Sequence, residues 1–126
     1  MLTSEIRAAI MLLPTMFLSV GAQAQPADGG RLFRQRCGAC HSVTEGQARP
    51  TGPNLFGLIG RDKGGATEFR TYSPAFRRLE GRWTVAELDR FLAAPGRYVP
   101  GTRMVIAVPD AGQRAAIVAY LASLRK

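Results

Sequence analysis

Both cysteines and the only histidine of this 126-residue chain stand together, in Cys37-Gly38-Ala39-Cys40-His41. Cys-x-x-Cys-His is the attachment pattern of a c-type haem. Two thiols three positions apart on a helical turn can add to the two vinyl groups of one porphyrin. The next residue, His41, then holds its imidazole beneath the iron as a proximal ligand. A thioredoxin-like dithiol also uses Cys-x-x-Cys, but it follows a strand in a βαβ unit. Here Gly29 to Arg36 reads as a helix capped by Asp28. A structural zinc site wants four ligands, and the chain offers two Cys and one His.

A second axial ligand is found by elimination. Beyond residue 24, Met104 is the only methionine. A lone methionine is usually core filler. This one ends the run Tyr98-Val99-Pro100-Gly101-Thr102-Arg103, whose Pro and Gly predict a stiff, non-helical loop that suits a thioether presented to a metal. His/Met ligation raises the haem potential, because a soft thioether favours Fe(II), and it closes both axial positions. Gly52-Pro53-Asn54-Leu55 reads as a turn. It is either a plain turn or one whose Pro53 carbonyl accepts from the ring N–H of His41 and strengthens it as a donor. Arg61 and Trp83 are candidates to hydrogen-bond haem propionates. Trp83 serves equally well as core, with its N–H on a backbone carbonyl.

The elements that must position these residues are short. Thr84-Val85-Ala86-Glu87 is a capping box opening a helix to about Ala93, before Pro95. Asp110-Ala111-Gly112-Gln113 resembles another. Behind it Ile117, Tyr120, Leu121 and Leu124 make one apolar face. Gly29 and Phe33 of the first helix are expected to meet Tyr120 and Leu121, with glycine permitting close approach. Asp62 to Glu68 is polar and Gly-rich, a surface loop. The expectation is an all-α domain of short helices wrapped around one covalent haem. A domain of about 100 residues buries only about 65% of its unfolded surface, so a haem would supply core the chain lacks.

Residues 8–22 form an uncharged apolar run after Arg7, and Ala22-Gln23-Ala24 matches a signal-peptidase site. Residues 1–24 are therefore expected to be a cleaved signal peptide and 25–126 the domain, which places the protein in the periplasm. The run is too short to span a bilayer comfortably. The net charge is +8, and 15 of the 17 basic residues are arginine. These are scattered and not interleaved with aromatics, which argues against nucleic acid and for acidic protein partners.

The ordered set formed by Gly29, Phe33, Cys37-x-x-Cys40-His41, Gly52-Pro53-Asn54-Leu55, Gly60-Arg61, Tyr72-Ser73-Pro74-Ala75, Trp83, Tyr98-x-Pro100-Gly101-Thr102-x-Met104, Arg114 and Tyr120-Leu121 resembles the class I c-type cytochromes, in their mitochondrial-like and bacterial periplasmic branch. The resemblance implies a low-spin haem with an exposed edge and a monomeric one-electron carrier, not an enzyme. It implies as partners a cytochrome bc complex, a terminal oxidase, a photosynthetic reaction centre or a periplasmic dehydrogenase. Alternatives are a fixed haem-c subunit of a dehydrogenase and an open-site haem sensor or peroxidatic protein, which Met104 argues against. The chain departs from the mitochondrial pattern in several ways. Phe91 replaces a tyrosine near the methionine sulfur, and Phe76 stands at a usually polar position. The segment from Met104 to Arg114 is shorter. Arg36, Arg49, Arg97 and Arg103 stand near the expected haem edge where lysine is usual.

Overall fold

The computed structural model describes residues 26–125, so the expected signal segment and its cleavage lie outside the described residues. Five helices follow in order: α1 (Pro26–Arg36), α2 (Pro74–Arg77), α3 (Val85–Ala93), α4 (Pro95–Tyr98) and α5 (Ala111–Ser123). Among the described residues the only β pairing is an isolated bridge between Asp62 and Arg82. The fold is all-α.

Helix α1 begins earlier than its sequence suggests. Asp28 lies in its first turn and is not its cap. Proline at a first helical position has the required φ and no N–H to satisfy, and an acidic residue in that first turn complements the helix dipole. At its other end the N–H groups of Cys37 and Gly38 both reach the Phe33 carbonyl. The N–H groups of Cys40 and His41 then reach the Cys37 carbonyl, at 3.1 and 3.0 Å. The two cysteines and His41 thus share one tight turn hung from α1.

Side-chain caps start α2, α3 and α5. Ser73, Thr84 and Asp110 accept from the N–H groups of Phe76, Glu87 and Gln113. The four-residue helices α2 and α4 are too short to show periodicity, and each opens on a proline. Of the polar segment 62–68, Asp62, Thr67 and Glu68 are exposed as a surface loop would have them. Ala66 is buried, and Lys63 keeps only 8% of its side chain exposed.

The helical core is the crossing of α1 on α5, with α3 packed against α5. Phe33 lies 5.7 Å from Tyr120 between ring centroids. Ile117 is fully buried, with Val118, Leu121, Leu88 and Leu92 around it. Arg114 bonds Asp89 of α3 at 2.7 Å and the carbonyls of Val108 and Pro109, tying α5 to α3 and to the chain before it.

The crossing depends on Gly29. A Cβ there would stand 2.0 Å from the Ala116 carbonyl oxygen and 2.8 Å from the Tyr120 Cβ. Backbone cannot step aside as a side chain can, so the helices must separate. Gly29→Ala should destabilise the protein by about 1–3 kcal/mol in denaturant titration, the usual range for overpacking. Gly30→Ala meets only the edge of the Tyr120 ring at 3.2 Å. It should be close to neutral, since helix propensity returns about 1 kcal/mol. Equal losses in the two variants would mean that the crossing is looser than described.

Candidate cofactor site

All six residues singled out in the sequence line one cavity of about 550 Å³: Cys37, Cys40, His41, Arg61, Trp83 and Met104. Protein interiors hold few voids larger than a water molecule, and this volume falls in the range of cofactor pockets, about 300–1,000 Å³. The rest of the wall is largely apolar, with Leu55, Leu58, Phe76, Leu88, Phe91, Leu92, Val108, Ile117 and Leu121.

His41 is held from behind. Its Nδ1 lies 2.8 Å from the Pro53 carbonyl oxygen. A carbonyl can only accept, so Nδ1 carries the proton and Nε2 keeps its lone pair. The Gly52-Pro53 turn is thus the ring's anchor. Burial lowers the His41 pKa below the ordinary histidine value, and the Pro53 bond opposes this in part. The imidazole is neutral at neutral pH, the form that ligates metals. The contact also demands Gly52, whose Cβ would lie 2.6 Å from the ring Cε1, 2.8 Å from Nδ1 and 2.9 Å from the Cys40 carbonyl oxygen. Thr51 closes the same strap by donating to the Cys40 carbonyl.

Cys37 is half-buried, Cys40 is exposed, and they form no disulfide. Burial pushes the Cys37 thiol up to about 11; Arg36 opposes the shift and Cys40 adds to it. Reactive dithiols need the reverse, a thiolate stabilised near neutral pH.

Arg61 spends two of its five N–H donors on the chain, giving to the carbonyls of Asn54 and Phe56. Its backbone pairs with that of Trp83, which places the two residues side by side. Trp83 is buried. It also forms part of the cavity wall. Phe76 and Phe91 both line the cavity, 5.8 Å apart in an edge contact, with Trp83 5.3 Å from Phe91.

Met104 is half-buried on a segment without helix, held at several points. Its N–H donates to the Thr102 hydroxyl. Arg103 reaches the Thr71 carbonyl at 2.7 Å, and the Val108 N–H reaches Leu92 of α3. Val105 and Ile106 follow at the cavity wall, yet are 83% and 51% exposed. Of the arginines expected around the opening, Arg36 and Arg103 line the cavity; Arg49 and Arg97 are exposed elsewhere.

The structural roles of three residues are not legible in the sequence. Gly52 reads only as part of a turn. Asn54 is buried, and its amide donates to the Thr44 and Gln47 carbonyls while its oxygen accepts from Phe56, which makes it the hub of the 42–56 loop. Lys63 stands beside Trp83 but not on the cavity. An Asn after Pro in a tight turn hints at the second; nothing local marks the first or the third.

Residues 26–125 match the family described as Cytochrome c. The chain is 36% identical over 103 residues to a cytochrome c homolog of Bradyrhizobium diazoefficiens, covering 81% of this chain and 56% of that one. It is 39% identical over 100 residues to the cytochrome c of Theileria annulata, covering 79% of this chain and 85% of the relative. In three dimensions it is similar to cytochrome cH from Methylobacterium extorquens, with a TM-score of 0.70 and 32% identity over 80% of this chain and 98% of the other.

The Gly52 contact is directly testable. Gly52→Ala must turn the His41 ring or lift the 50–53 strap. It should lower stability by roughly 1–3 kcal/mol and disturb the histidine's ligation in haem-loaded protein, seen as a change in the visible spectrum. Gly96→Ala, whose Cβ meets nothing within 4 Å, should change neither. An unaltered Gly52→Ala spectrum and midpoint would show that the strap gives way freely.

Proposed function

Because the chain belongs to the cytochrome c family, we propose that it is a periplasmic electron carrier whose one haem c is attached through Cys37 and Cys40 and ligated by His41 and Met104. The family itself consists of electron carriers that hold one covalent haem c and exchange electrons with redox protein partners; they are not enzymes. When bound, haem c supplies an iron that alternates between Fe(III) and Fe(II).

The observation that carries the reading is the bond from His41 Nδ1 to the Pro53 carbonyl, in a cavity that Cys37, Cys40 and Met104 also line. It leaves a neutral imidazole with a free Nε2 beside two thiols. Thiols three positions apart on one turn can both bond the edge of a flat macrocycle. The thioether of Met104 would be the iron's second protein ligand and would keep oxygen and peroxide from binding there. Arg61, with donors to spare, and the indole N–H of Trp83 are suited to carboxylates such as the propionates. The apolar remainder of the wall excludes water. An apolar wall of this kind would limit solvent reorganisation when the bound iron changes charge, and would favour a high potential.

The basic surface favours acidic docking faces, of the kind expected on a cytochrome bc complex, a terminal oxidase, a reaction centre or a periplasmic dehydrogenase. Exposed Arg36 and Arg103 lie at the cavity where an electron would leave. We place the carrier, as a monomer, outside the cytoplasm on the apolar run and cleavage site of residues 8–24. Among the described residues no helix is long and apolar enough to cross a membrane.

Protein matured with its export segment should carry haem through denaturing electrophoresis, and extraction of the haem by acid acetone would sink the attachment. Met104→Ala should lower the midpoint potential and let the reduced protein bind CO. It should also cost roughly 2 kcal/mol of stability, the low end for a half-buried methionine. An unchanged spectrum would mean that another group ligates. Lys63 is an unsuitable replacement, being engaged by Glu87 at 2.7 Å.

Electron transfer to an acidic partner should slow as salt rises, because exposed charges are screened beyond about 8 Å at physiological ionic strength. Stopped-flow rates that stay flat between low and physiological salt would point instead to docking through apolar contacts such as Val105 and Ile106.

A further inference from the structure

The most buried ion pair among the described residues joins Lys63 to Glu87, away from the cavity lining. Lys63 Nζ donates to Glu87 Oε1 at 2.7 Å, with 8% of the lysine and 28% of the glutamate side chain exposed. Surface pairs contribute about 0–1 kcal/mol, and buried pairs can be replaced by apolar residues with little loss. Stability alone therefore gives no reason for a lysine here.

Its neighbours do. The ammonium lies 5.6 Å from the Trp83 ring centroid and 5.8 Å from that of Tyr98, both within cation–π range. Glu87 Oε1 also accepts from the Tyr98 hydroxyl at 3.4 Å, and Glu87 Oε2 from Thr84, the cap of α3. The Lys63 backbone N–H is bonded to Gly81. The pair therefore joins three stretches that are distant in sequence: the 62–63 bridge strand, the first turn of α3, and Tyr98 at the end of α4, from which the Met104 segment departs. One of its aromatic contacts, Trp83, is itself cavity wall.

We infer that Lys63 and Glu87 are positioning residues for the redox centre: they seat Trp83 against the cavity and Tyr98 at the root of the Met104 segment, and their paired charges set the field there. Both groups are held ionised by one another. The Glu87 bond raises the lysine pKa and the Lys63 bond lowers that of the glutamate. A cation behind the wall favours the reduced centre and an anion the oxidised one. As a pair they nearly cancel; separated, they act in opposite senses. The inference rests on the reading of the cavity as a haem site.

The test uses haem-loaded full-length protein with Lys63→Met, Lys63→Arg, Glu87→Gln and the double variant Lys63→Met/Glu87→Leu. Readouts are the midpoint potential and the indole N–H resonance of Trp83, the chain's only tryptophan. Lys63→Met should lower the potential and Glu87→Gln raise it. The double variant should return towards the wild type, and Lys63→Arg should stay near it. The Trp83 resonance should move in the Lys63→Met and Glu87→Gln variants. Shifts of the same sign in those two, or no shift in either while each keeps its covalent haem, would overturn the inference. If Lys63→Met does not fold, a Glu87→Gln potential that fails to rise overturns it equally. Wild-type protein without covalent haem would overturn the earlier reading instead.

Discussion

A cavity of about 550 Å³ at the centre of a domain of about a hundred residues leaves few side chains to pack on one another. Among the described residues helix backbones come close only where α1 and α3 meet α5 and where α4 meets α3; α2 reaches α3 through the Phe76–Phe91 ring contact. Much of the rest of the wall is non-helical chain, which has no internal ladder of hydrogen bonds to satisfy its backbone. The structure meets that demand with side chains. Asn54 gathers the carbonyls of the 42–56 loop, Arg61 those of Asn54 and Phe56, and Arg114 those of Val108 and Pro109. Each of these residues substitutes for a regular element by holding two or more backbone groups at once.

The same constraint explains why small residues stand where they do. A wall one chain thick must pass close to what it supports, and at Gly52 it passes within reach of the His41 ring. At Gly29 two helices touch through backbone so that their larger residues, Phe33 and Ile117 among them, can face inward. Polar anchoring and close approach are two answers to one shortage of core.

Much of this was legible in the sequence because it is local. Cys-x-x-Cys-His carries its chemistry in five residues. The caps Thr84 and Asp110 announce themselves in four, and the apolar face of α5 repeats with the helix. Met104 was found by counting, since no other methionine lies beyond residue 24. What stayed hidden involves partners far apart in the chain. The Lys63–Glu87 contact spans 24 positions, and each residue alone looks like an ordinary surface charge. Gly52 looks like any turn glycine until the ring beside it is seen. Asp28 reads as a cap because aspartate favours caps, but aspartate favours the first turn as well, and the proline two residues earlier decides between them. The short helices α2 and α4 contain too few residues for any period to show.

The crossing of α1 on α5 joins the first and last elements of the described chain, with Gly29 and Ala116 in contact across about 85 residues. During synthesis the first helix must wait for the last. At the usual pace of about 5–20 residues per second, the interval is roughly 4–17 s. Through all of it Phe33 lacks the aromatic neighbour it has in the finished protein, and α1 is too short to persist alone. The turn that carries Cys37 and Cys40 is therefore accessible before the chain can close over it. A domain whose first and last described helices complete each other stays open until both have been made, and an unfolded chain is the form in which both thiols can be reached together.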